Sequence, residues 1–165
     1  MYEFSAKSKR VLSFLTILSL FAFLAVENNK VDIKRKWYEQ KLDASNSAKK
    51  AADFLKDFRV QKGIFIDAIN DPNETALIGQ DITQITTDRG YIDSKLTSLN
   101  PNFAAVIVEM LKEANVKDND VVAISFTGSL PGLNIAVMAA VQTLNLKPII
   151  ITSVGASNWG ANDPY

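Results

Sequence analysis

Apolar and polar positions alternate differently in successive stretches of the chain. Residues 11–26, VLSFLTILSLFAFLAV, are apolar on every helical face, hold no charge, Gly or Pro, and follow Lys7, Lys9 and Arg10. Such a run cannot turn one stripe toward a protein core, so it predicts a helix whose solvent is lipid. Its length of about 24 Å falls short of the roughly 30 Å hydrocarbon core, a gap that bilayer thinning and snorkelling Lys and Arg absorb. A cleaved signal peptide would place small residues at −3 and −1. Ala25 has Phe23 at −3 and Ala22 has Leu20, which favours an uncleaved signal anchor. Lys30, Lys34, Arg35 and Lys36 on the far side balance the basic residues in front, so flanking charge does not orient the span.

Beyond the span the period changes. Ile33, Trp37, Ala44, Ala48, Ala51, Leu55 and Phe58 recur mostly at helical spacing, with Lys41 interrupting the stripe and Gly63 marking a C-terminus. This predicts a helix docking one face on its own domain. Ile64–Ile69 (IFIDAI), between Gly63 and Asn70-Asp71-Pro72, reads as a short strand. Residues 73–100 are mixed, with strand-like alternation around Ile82–Thr87 and a turn at Asp88-Arg89-Gly90. Asn100-Pro101-Asn102 then precedes an apolar helix over Phe103–Ala114. Residues 121–154 read as a buried strand, a Gly/Pro loop, an apolar helix and a second buried strand, a βαβ unit with parallel strands. The expected class is α/β: a transmembrane helix and a stalk helix, then a three-layer domain on a mainly parallel sheet. The expected divisions are a basic flank (1–10), the anchor (11–26), a basic helical stalk (27–62) and the α/β domain (63–165). The last stops just after a strand, where a doubly wound sheet would continue, so a truncated domain is expected.

Charge sharpens this division. The formal net charge is zero, yet residues 1–62 carry 13 basic and 7 acidic side chains, and residues 63–165 carry 5 and 11. The acidic half lacks the clustered Lys and Arg that nucleic acid requires, so no nucleic-acid partner is expected. The chain has no Cys and no His. It therefore has no thiolate nucleophile, no Ser-His-Asp triad, and no thiolate or imidazole metal site. No metal and no cofactor are expected, and the balance leans toward binding rather than catalysis.

Ligands of open parallel sheets sit beyond the carboxyl ends of the strands, and two loops leave there. The first holds Thr127, Gly128, Ser129 and Gly132 and leads into a helix near Asn134. It is neither a Walker A loop, a GxGxxG motif nor a GxSxG elbow, but free N–H groups at the helix start suit an anion. A plain strand-to-helix turn capped by Ser129 fits equally well. The second loop holds Ser157, Asn158, Trp159 and Asn162, whose hydroxyl and amides suit an amide or carboxylate. Its Trp is more commonly a plug. Asp67, the one acid inside a strand-like run, reads as a base or as a solvent-facing residue.

The string SFTGSLPGLNIAVMAAVQTLNLKPIIITSVGASNWGAN resembles the poly-gamma-glutamate system protein family. Gly79, Thr86, Thr87, Gly90, Lys95 and Asn100-Pro101-Asn102 upstream agree with it, as does the N-terminal anchor. The resemblance runs over most of residues 60–165 and implies an N-terminal portion of a longer bacterial protein. It implies a single-pass membrane protein, its α/β domain extracytoplasmic, that assists synthesis or export of the poly-gamma-glutamate capsule. The partners so implied are the lipid bilayer, components of the synthase and the glutamate polymer. The family carries no catalytic residues over to this chain. One alternative is an enzyme acting on gamma-glutamyl amide bonds through Ser129 or Asp67, with Lys95 as basic partner. Another is a scaffold for the synthase, bound through residues 33–62.

Overall fold

The computed structural model describes residues 8–31 and 33–163. Residues 1–7 of the basic flank, including Lys7, Asp32 of the stalk, and the last two residues, Pro164 and Tyr165, lie outside them. The chain divides into two units, one up to Lys36 and one from Trp37 onward.

The first unit is built on helix α1, Lys9–Asn28, of 20 residues, none of them buried. It is longer than the 16-residue apolar run, because Lys9, Arg10, Glu27 and Asn28 continue the helix at its ends. At 1.5 Å per residue it is about 30 Å long, its polar ends extending an apolar stretch of about 24 Å. Two hydroxyls inside it are satisfied locally: Thr16 Oγ1 donates to the Leu12 carbonyl at 2.9 Å and Ser19 Oγ to that of Thr16 at 3.0 Å. A helix in hydrocarbon needs this, because no water is there to take a free hydroxyl.

The second unit begins at Trp37, whose left-handed backbone (φ 56°) starts helix α2, Tyr38–Gln61. Three further helices follow: α3 (Ile92–Ser98), α4 (Phe103–Glu113) and α5 (Pro131–Thr143). Strand β1 (Val121–Phe126) precedes α5 and β2 (Lys147–Thr152) follows it. Helices α2, α4 and α5 pack on one another, and small residues make this possible. Ala44 and Ala48 of α2, Ala104 of α4, and Ala136, Ala139 and Ala140 of α5 are all buried in one cluster with Val108 and Val141. The stretch read as a stalk thus divides near Trp37, and its helical part belongs to the core. Lys41, which broke the apolar stripe, has its amine 3.0 Å from Glu109 of α4 and 5.8 Å from the Trp37 ring centre.

The βαβ unit forms as its apolar runs predict. β1 and β2 are parallel, in register from Val121 opposite Lys147 to Phe126 opposite Thr152. Pro131 opens α5 at a position where its missing N–H costs nothing. Val122 and Ile124 face the helical core, while Val121, Ile149 and Ile151 on the other face are exposed. Two layers are therefore formed among the described residues, a mixed α/β arrangement with a two-stranded sheet.

The strand expected at Ile64–Ile69 does not form. Asp67 Oδ1 accepts the Ile69 N–H at 3.0 Å and Asp67 Oδ2 the Asn70 side-chain amide at 2.6 Å. The carboxylate thus bends the chain into a turn before a ladder can start, and Phe65 and Ile69 are left exposed. The alternation near Ile85 does pair, as an isolated parallel bridge between Thr86 and Ala156.

Candidate functional site

Two strand-end loops and the segment 78–95 converge in the second unit. Backbone bonds join the loops directly: Gly128 N–H donates to the Gly155 carbonyl at 3.1 Å, and Ala161 N–H to the Gly128 carbonyl at 2.7 Å. Thr87 N–H donates to Ala156 and Ala156 N–H to Ile85, which holds the 82–90 segment against the second loop.

Lys95 stands at the centre. It lies on the short helix α3 and is only 3% exposed. Its Nζ donates to the Ser129 carbonyl and lies 2.6 Å from Ser157 Oγ. The Ser157 N–H in turn donates to Ser129 Oγ at 3.1 Å. One amine thus ties α3 to both loops. Burial lowers the Lys95 pKa below its usual 10.5, because the charged ammonium loses hydration. Gly90 closes over this group, and a Cβ there would stand 2.9 Å from Ser157 Oγ and 3.1 Å from Lys95 Cε. Only glycine admits that approach.

The other residues expected at the site divide by role. Asn162 is fully buried. Its Oδ1 accepts the Gln80 N–H at 2.9 Å, and its Nδ2 donates to the Gln80 carbonyl at 2.7 Å and to Thr86 Oγ1 at 3.0 Å. It is a strut between loop and segment. Asn158 works likewise, donating to Asp81 and accepting the Gly90 N–H. Asn134 donates to the Thr127 carbonyl at 2.8 Å, and Thr127 Oγ1 accepts the Ser129 N–H at 3.2 Å, so both brace the first loop. Gly132 is buried in the first turn of α5. Asp67 lies apart from Lys95, in the turn described above, where the Asn70 amide and then the Ile69 N–H hold its carboxyl below the usual range.

Trp159 lines a groove of about 570 Å³ with Arg59, Lys62, Phe65, Asp67 and Gln80. Arg59 is paired with Asp163 at 3.0 Å. Its Nε is buried and has no hydrogen-bond partner among the described residues.

Lys95, expected as the basic partner of Ser129 or Asp67, has its amine against the Ser129 carbonyl and the Ser157 hydroxyl. A readable signal exists: Ile92, Lys95 and Leu99 fall on one helical stripe, which puts a cation on an otherwise apolar face. Among the described residues no group of His, Cys, Asp and Glu could hold a metal ion.

No protein-family model matches the chain, and no curated protein or solved structure does.

Proposed function

We propose that this is a membrane-anchored accessory component of poly-gamma-glutamate capsule synthesis or export, which binds an anionic or amide ligand beside its strand-end loops. The observation that carries the binding part is the Trp159 groove. Lys62 can receive a carboxylate there, and Gln80 and the Trp159 ring can receive amide and methylene groups. The net acidity of the domain opposes nonspecific binding of a polyanion, and Asp67, Asp81 and Asp163 also line the groove, so a glutamyl ligand would be held by Lys62 and by the amide and ring contacts and not by net charge.

The resemblance supplies the pathway and the placement of the α/β domain outside the cytoplasm, and α1, long and apolar enough to cross a membrane, supports a single-pass anchor. In this reading the exposed sheet face at Val121, Ile149 and Ile151 takes the remaining layer of a three-layer domain. The helix α2 offers its Lys-rich face to synthase components.

Deleting the encoding gene should lower the amount or the chain length of the polymer, and calorimetry with glutamate oligomers should show saturable binding weakened at least tenfold by Lys62→Gln with Trp159→Ala. Unchanged polymer would end the pathway assignment, and undiminished binding in the double variant would end the groove assignment.

A further inference from the structure

The buried amine and hydroxyl at the centre of the loops form a second, chemically distinct feature. Ser157 Oγ is 2.6 Å from Lys95 Nζ, within the range in which a proton passes directly between heavy atoms. The amine is held from its other side by the Ser129 carbonyl. That carbonyl can only accept, so one N–H is fixed there and the nitrogen is left facing the Ser157 hydroxyl. The Ser157 backbone is fixed in turn by Ser129 Oγ. Ser157 itself is half-buried, whereas Lys95 is shut off from water. This is a hydroxyl, a base at hydrogen-bond distance, and a third group orienting the base.

We propose that Ser157 is the nucleophile and Lys95 the general base of an acyl-transfer site for amide- or ester-linked acyl groups. Ser157 Oγ attacks the acyl carbon while its proton moves to the Lys95 nitrogen. The new C–O bond forms as the carbonyl electron pair moves to oxygen. Collapse of the adduct breaks the bond to the leaving amine or alcohol, which takes the proton from Lys95. Water, giving its proton to Lys95, then attacks the acyl-Ser157 ester; the C–O bond to Ser157 breaks as Lys95 returns that proton to Ser157 Oγ, which releases the acid and restores both the hydroxyl and the neutral amine. Serine–lysine pairs perform this chemistry without imidazole, so a chain with no His is not thereby barred from it. Burial favours the neutral amine that the first step needs. The inference stands apart from the groove and from the capsule reading, since it concerns different atoms.

The test is covalent labelling of the full-length chain in detergent with diisopropyl fluorophosphate, which esterifies a base-activated serine and releases fluoride. The expected result is one adduct per chain, mapped to Ser157, absent from Ser157→Ala and formed at least about tenfold more slowly in Lys95→Met. Labelling no faster than in urea, an adduct on another serine, or an unchanged rate in a folded Lys95→Met would overturn it. Should Lys95→Met fail to fold, Ser157→Cys places a single thiol in a chain with no other Cys. Near Lys95 that thiol should react with iodoacetamide at pH 6 at least about tenfold faster than free cysteine. A rate no faster than free cysteine would equally end the proposal.

Discussion

The side-chain amide of Asn162 pairs with the backbone of Gln80 as a neighbouring strand would, accepting its N–H at 2.9 Å and donating to its carbonyl at 2.7 Å. The two residues are 82 positions apart, and this pair fastens the end of the second loop to the segment leading to Lys95. Asn162→Ala would remove the partner of the Gln80 N–H and one of the two donors to the Gln80 carbonyl, which keeps the Trp159 N–H, and would leave a void where a fully buried side chain stood. The expected loss is about 2–3 kcal/mol of unfolding free energy, read by urea denaturation. Asn162→Asp should lose nearly as much, since a carboxylate cannot donate to the Gln80 carbonyl. A loss under about 0.5 kcal/mol in both variants would show that the strut is dispensable.

Lys95 predicts a pH dependence of definite sign. Its pKa is lowered in the folded chain, while the unfolded value is the ordinary 10.5. Between those two values the unfolded chain binds the extra proton, so stability rises with pH through that window. Below the folded value both states are charged and the burial penalty is felt in full. Denaturation of the wild-type chain and of Lys95→Met, compared at pH 7 and pH 10, should show the difference moving in favour of wild type at the higher pH. Other alkaline groups cancel because both proteins carry them. A shift in the opposite direction would mean that the ammonium, not the amine, is the stabilised form.

The exposed turn at Asp67 should respond in the reverse sense. Its carboxyl is held low by the Asn70 amide and the Ile69 N–H, so its contribution is present above the unfolded pKa and fades as pH falls through the folded one. Asp67→Ala should speed amide exchange at Ile69 and Asn70 while leaving diisopropyl fluorophosphate labelling of Ser157 unchanged. Slowed labelling would tie Asp67 to the chemistry after all.

Helix α1 should hold the chain in membranes against carbonate extraction. Leu18→Arg, a charge near the middle of the span, costs about 3 kcal/mol of insertion and should move a measurable fraction to the supernatant. Equal retention of both forms would mean that another part of the chain supplies the membrane attachment.

The elements that were legible share one property: their apolar pattern is long or uniform enough to admit one structure. The span at 11–26 and the βαβ unit at 121–154 are of this kind, as is the Ala-rich stripe through Ala44 and Ala48. The hexamer IFIDAI is not. It is strand-like in composition, but a strand exists only where a partner accepts its hydrogen bonds, and Asp67 bonds its own backbone first. Helix α3, at seven residues, carries only the short stripe Ile92, Lys95 and Leu99, which does not say which loop its amine meets.

By itself, then, the sequence determined the membrane-length helix, the parallel βαβ unit, the split between basic and acidic halves, and the two loops at the strand ends. Only the tertiary structure decided which hydroxyl the buried amine meets, and that Asn158 and Asn162 are struts. The physical reason is range. Hydrophobic period acts between neighbours on one element, whereas the Lys95–Ser157 contact joins residues 62 positions apart. No local preference encodes such a contact; it follows from how α3 and the two loops pack.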